Sequence, residues 1–135
     1  MLADFIEWWS DPQNCPDVVT GWNSRFYDIP YIVNRIARVF DHEEVKRLSP
    51  WGMIEQKTTV IKGKENLYFN IGGIQQLDYL ELFKKFTINT YGAQESYKLD
   101  FIADVVLGEN KIDFTDDYNS LSEFFLYESK KQRVF

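Results

Sequence analysis

Between Ile29 and Phe40 the apolar side chains of Ile29, Ile32, Val33, Ile36, Ala37 and Phe40 recur at helical spacing, while Asn34, Arg35 and Arg38 fall off the stripe. An amphipathic helix of this kind needs an apolar surface to lie on, which rules out an all-β chain and calls for a sheet beside it. The preceding residues 17–22, DVVTGW, form a short β-branched run that predicts a buried strand. Asp28 stands where a helix N-cap belongs, and Pro30 is tolerated in a first turn because no intrahelical donor is lost there.

The rest of the chain alternates in the same way. Leu2, Phe5, Ile6 and Trp9 predict a helix over residues 2–10, stopped by Asp11-Pro12. From Met53 to Ile71 the pattern changes to period two and predicts a hairpin turning near Gly63, with Lys62 and Lys64 at the tip and Lys57 nearby. Residues 65–70, ENLYFN, complete the second strand of that hairpin and are native sequence, although they look like a tag-cleavage site with a different last residue. Residues 74–78 predict a strand running into a helix through Tyr79, Leu80, Phe83 and Phe86. Another helix carries Leu99, Ile102, Ala103 and Val106 and ends at Gly108, as a C-cap would. Residues 120–123, SLSE, match a capping box opening a last helix. Strands alternate with helices, so the fold class is α/β.

A length of 135 residues suits one compact domain, and 44% apolar residues supply its core. No stretch approaches a membrane span, and residues 1–4 do not open a secretory signal. Cys15 is the single cysteine and His42 the single histidine, which excludes an internal disulfide and a Cys/His zinc site built by one chain. A reducing, intracellular setting is expected. The formal charge of −6 is uneven: residues 95–128 hold nine acidic residues against two lysines, whereas residues 46–85 net +3. Solvated surface explains both blocks, yet the basic stretch keeps a nucleic-acid partner open.

Phosphate-cradling glycine loops, a nucleophile elbow and an H-E-x-x-H pair are all missing from the sequence. His42 lies in a charged run, DHEE, that reads as surface. Carboxylate chemistry remains, and phosphoryl hydrolysis can run on it because Asp and Glu oxygens suit Mg²⁺. Asp28 is the most informative carboxylate: it follows a strand, opens a helix and lies near the strand's C-terminal end, where open α/β sheets place their sites. The plainer reading is that Asp28 only caps its helix.

Residues 20–31, TGWNSRFYDIPY, resemble the second exonuclease motif of family B DNA polymerases, N-x-x-x-[FY]-D, and the flanking G-W-N and D-x-P-Y are similar to the replicative polymerases of T-even-like phages. Residues 47–52 (RLSPWG), 77–86 (LDYLELFKKF), 96–103 (SYKLDFIA) and 107–111 (LGENK) resemble further blocks of that family, in family order. The resemblance implies that residues 1–135 are part of a 3′→5′ proofreading exonuclease domain of ribonuclease-H-like fold with a β-hairpin insertion. It implies that Asp28 is a catalytic, metal-ligating carboxylate for Mg²⁺ or Mn²⁺, that Asn23 approaches the 3′-terminal nucleotide and that Tyr27 backs the site by packing. The hairpin would correspond to the loop that helps move a primer end between two sites, with Lys57, Lys62 and Lys64 on phosphates. Edge protection by charge is the alternative for those lysines. The partner implied is single-stranded DNA at a primer 3′ end, with no membrane, in the cytoplasm of a bacterial or phage-infected cell.

The family's first motif, D-x-E, has no counterpart before Asp28, and its third, Y-x-x-x-D, would begin where residue 135 ends. The expectation is a domain truncated at its N-terminal strands, inactive in isolation, whose parent is a replicative DNA polymerase. Its strand over residues 17–22 would keep a bare edge, so self-association is expected, with Phe5, Trp8 and Trp9 filling part of the gap. Two other readings stay open: an interaction module that uses no metal, and a small standalone nuclease built on Asp28, Asp78 and Asp100.

Overall fold

The computed structural model describes residues 1–109 together with Ser122, and it divides into two units, Met1–Gln94 and Glu95–Phe135. The first unit runs α1 (Leu2–Ser10), β1 (Val18–Gly21), α2 (Asp28–Val39), α3 (His42–Lys46), β2 (Ile54–Ile61), β3 (Lys64–Ile71), β4 (Gln75–Asp78), α4 (Tyr79–Phe86) and α5 (Ile88–Tyr91). The second unit holds α6 (Leu99–Leu107), closed by Gly108 in the left-handed conformation that a helix C-terminus favours. The capping box over residues 120–123 and the helix after it lie outside the described residues, Ser122 apart.

The mixed α/β class holds. β1 and β4 pair in parallel, Val18 opposite Gln75 and Gly21 opposite Asp78, and β2 and β3 form an antiparallel hairpin with Ile54 opposite Ile71. The parallel pair requires a crossover, and α2, α3 and the hairpin supply it. The hairpin turns through Lys62 (φ 52°) and Gly63 (φ 75°), two successive left-handed residues of a type I′ turn whose twist matches that of the strands.

The core of the first unit gathers Ile6 and Trp9 of α1, Ile29, Val33 and Ile36 of α2, Val45 and Leu48 around α3, and Phe69, Ile71 and Ile74. Three residues of the α2 stripe are buried, Ile36 completely, Ile32 and Ala37 pack at its margin, and Phe40 is exposed just past the helix end. α1 folds onto this core: the Trp9 indole N–H donates to the Leu48 carbonyl at 2.8 Å, so the ring is buried without an unpaired donor. On the other side of β1, Trp22 packs against Tyr79 and Phe83 of α4, and Phe83 stacks on Tyr91.

One expectation is corrected. β1 is not a buried strand, because Val18 is 50% exposed and only alternate residues are partly covered. Among the described residues β4 is its one strand neighbour, and no described strand pairs with its other edge.

Candidate functional site

The loop from Trp22 to Tyr27 joins the C-terminal end of β1 to α2, and it is fixed from both sides. Asn23 takes a left-handed conformation, φ 62°, which asparagine tolerates better than most residues. That turn aims two successive odd-numbered N–H groups at one carboxylate: Asp78 Oδ1 accepts from the Asn23 N–H at 2.9 Å and Oδ2 from the Arg25 N–H at 3.1 Å. Oδ1 also accepts from the Leu80 N–H at 3.0 Å, capping α4. Asp78 is 4% exposed, and its charge is dispersed over three backbone dipoles. Ser24 is buried at the turn, so close to β1 that a Cβ on Gly21 would come within 2.9 Å of the Ser24 Cβ.

Behind the loop, the Arg25 guanidinium lies 4.2 Å from the Tyr68 ring centroid and 3.5 Å from a Glu81 carboxylate oxygen. The Phe26 ring meets Tyr68 edge-on at 6.1 Å. The loop closes onto the helix as the Tyr27 N–H donates to the Asn23 carbonyl and the Ile29 N–H to the Ser24 carbonyl.

This frame presents Asp28. It is the first residue of α2, its side chain is exposed, and it does not cap the helix: the N-cap position falls on Tyr27, with no side-chain cap. A carboxylate at this end of a helix sits favourably in the helix dipole, and it has no hydrogen-bond or ion-pair partner among the described residues. The Asn23 side chain is exposed in the same loop. Tyr27 does not back the site by packing. It is 70% exposed, and the aromatic that packs is its neighbour Phe26.

The lysines divide. Strand alternation puts Lys57 and Lys64 on the hairpin face that carries Tyr68, with Lys57 directly opposite Tyr68. Lys57 Nζ is 2.9 Å from a Glu55 carboxylate oxygen, which raises its pKa above the ordinary lysine value. Lys62 and Lys64 are exposed at the tip with no ion pair among the described residues.

Asp78 lies at the strand end that the sequence predicts, but its role was missed. Its position before Tyr79 and Leu80 is an N-cap signal, but its bonds to Asn23 and Arg25 span more than fifty residues and leave no local trace. With both oxygens engaged in the interior, it is not an open ligand for the set Asp28, Asp78 and Asp100. Among the described residues no three His, Cys, Asp or Glu side chains converge as a metal site. A single exposed carboxylate does not make a divalent-metal centre, and no hydrolytic step is assigned to it alone.

Among the described residues no helix is long and apolar enough to cross a membrane. The family model described as DNA polymerase family B, exonuclease domain, matches residues 1–102. The chain is 35% identical over 128 residues to the DNA-directed DNA polymerase of Escherichia phage RB69 and 33% identical over 124 residues to that of Enterobacteria phage T4, in each case over 91% of this chain and 13% of the relative. It is also 31% identical over 105 residues to the DNA polymerase delta catalytic subunit of Candida albicans, covering 73% of this chain and 10% of that protein. The chain therefore spans 13% of the length of the phage relatives it matches. On this evidence the chain belongs to the exonuclease-domain family of family B DNA polymerases.

Proposed function

We propose that this chain serves, within a longer replicative DNA polymerase, as part of a 3′→5′ proofreading exonuclease domain of ribonuclease-H-like fold, acting on single-stranded DNA at a primer 3′ end. The observation that carries the reading is Asp28: an exposed carboxylate without a partner among the described residues, at the C-terminal edge of the parallel β1–β4 pair, directly after a loop that Asp78 holds at Asn23 and Arg25. Open α/β sheets bind ligands at that edge.

In this reading Asp28 contributes one carboxylate to an acidic Mg²⁺- or Mn²⁺-binding cluster that the longer polymerase completes. Asn23, its backbone fixed by Asp78 and its side chain exposed, meets the terminal nucleotide. The exposed Tyr27 ring offers a surface on which a terminal base can stack, in place of the packing role. The hairpin stands beside this loop through Arg25, Phe26 and Tyr68, and corresponds to the insertion that helps move a primer end between two sites. Lys62 supports that role: it occupies a left-handed position where asparagine or glycine is less strained, and it places a cation at the tip. Lys62 and Lys64 meet phosphates, and Lys57 does so with its charge already shared with Glu55. The edge of β1 that no described strand pairs favours self-association of the isolated chain.

The test is Asp28→Ala in the longer polymerase. Excision of a mismatched primer end is expected to disappear while primer extension continues. Excision at the wild-type rate would overturn the role of Asp28 and favour an interaction module instead.

A further inference from the structure

A groove of about 440 Å³ lies between the base of the hairpin and β4, within the range of small-ligand clefts, roughly 300–1,000 Å³. Its lining includes Arg25, Trp51, Glu55, Asn70, Gln75 and Gln76. From this composition we propose that the groove is a second, sequence-tolerant subsite for one unpaired base of a DNA strand, with Trp51 as its stacking platform. The proposal rests on the nucleic-acid reading above but uses none of the residues assigned there to the 3′ terminus.

Trp51 is 71% exposed, which is unusual for an indole. Its position is nonetheless built. The buried Ser49 hydroxyl donates to the Gly72 carbonyl at 2.7 Å and accepts from the N–H groups of Trp51 at 3.1 Å and Met53 at 3.0 Å. Gly73, at φ 84°, lets the chain pass so close that a Cβ there would sit 2.5 Å from Pro50 Cγ and 3.2 Å from Trp51 Cε2. The backbone turn is therefore locked while much of the ring faces solvent, where a base can stack on it.

The rest of the lining suits a base edge. Asn70 and Gln75 are exposed amides, each offering a donor and an acceptor, and neither has a partner among the described residues. Gln76 is fixed as its Nε2 donates to the Phe69 carbonyl at 2.9 Å, which leaves its carbonyl oxygen as an acceptor. Amides can turn to match any base, so the contact is expected to tolerate sequence. Glu55 pairs with Lys57, and the Arg25 guanidinium, 3.5 Å from a Glu81 oxygen, lies on the side of the loop before α2, where the strand's backbone would pass.

The experiment uses the 135-residue chain with divalent metals chelated, titrating a fluorescein-labelled oligothymidylate and reading anisotropy. Trp51→Ala should weaken binding by roughly 5- to 150-fold, the equivalent of one lost base stack. Trp51→Phe should restore most of it, and Gln75→Ala should give a smaller loss. Trp8→Ala, which removes another exposed indole, from α1, should bind as the wild type does. Absence of wild-type binding, or wild-type affinity in Trp51→Ala, would overturn the subsite. If Trp51→Ala binds normally while Asp28→Ala abolishes excision in the longer polymerase, the subsite fails and the exonuclease reading stands. If Trp51→Ala weakens binding while excision survives Asp28→Ala, the reverse holds.

Discussion

Asp78 and Asn23, 55 residues apart in sequence, are joined by a 2.9 Å hydrogen bond from the Asn23 N–H to the Asp78 carboxylate. With the bonds from Arg25 and Leu80, one buried side chain ties the loop before α2 to the start of α4. Asp78→Ala leaves three N–H groups to find other partners in a part-buried setting, and should cost roughly 2–4 kcal/mol of unfolding free energy. Asp78→Asn keeps one accepting oxygen but turns an NH₂ towards the Arg25 N–H or the Asn23 and Leu80 N–H groups, so about half that loss is expected. Urea denaturation of the two variants checks the order: wild type, Asp78→Asn, Asp78→Ala.

Two glycines separate backbone strain from crowding. Gly63 and Gly73 both have positive φ, but a Cβ at Gly63 meets nothing within 4 Å whereas one at Gly73 strikes Pro50. Gly63→Ala should therefore cost only the left-handed penalty, about 1 kcal/mol, and Gly73→Ala roughly 3 kcal/mol as the Pro50 turn is displaced. Thermal melts of both variants measure the difference, and equal losses would contradict the packing described at Trp51.

At Lys62, stability and binding should move in opposite directions. Lys62→Asn relieves the left-handed strain in the type I′ turn and should stabilise the chain by about 0.5–1 kcal/mol. If Lys62 contacts a phosphate, the same change lowers the slope of log affinity against log salt for single-stranded DNA by about 0.7. Anisotropy titrations across a salt series test this, and an unchanged slope would assign the lysine to edge protection alone.

The elements that sequence made legible are those whose signal is local. The stripe from Ile29 to Ile36 marks α2, Gly63 marks the hairpin turn and Gly108 the end of α6. α3 and α5 escaped because five and four residues are too few for a periodic pattern, although Asp41 caps α3 by accepting the Glu44 N–H. β1 read as buried because Val18 and Val19 are apolar, but burial depends on how many neighbours a strand finds, which its own residues do not state. The same limit hid the site's frame. The helix start at Asp28 was legible from the local pattern, whereas the clamp by Asp78 and the seat of Arg25 on Tyr68 join segments far apart in the chain. Adjacent aromatics were exchanged for a related reason: the loop geometry, not residue type, decides that Phe26 packs and Tyr27 does not.

The central claim is that Asp28 acts at the excised end of a DNA strand. Asp28→Asn keeps the size and the helix start while removing the charge, so it isolates the carboxylate from the fold. The ratio of excision to extension on a mismatched primer, in the longer polymerase proposed to carry this domain, is the direct measurement. A fall of about 100-fold or more, equivalent to roughly 2.7 kcal/mol in the excision barrier, with extension unchanged, is expected. A ratio equal to that of the wild type would contradict the account.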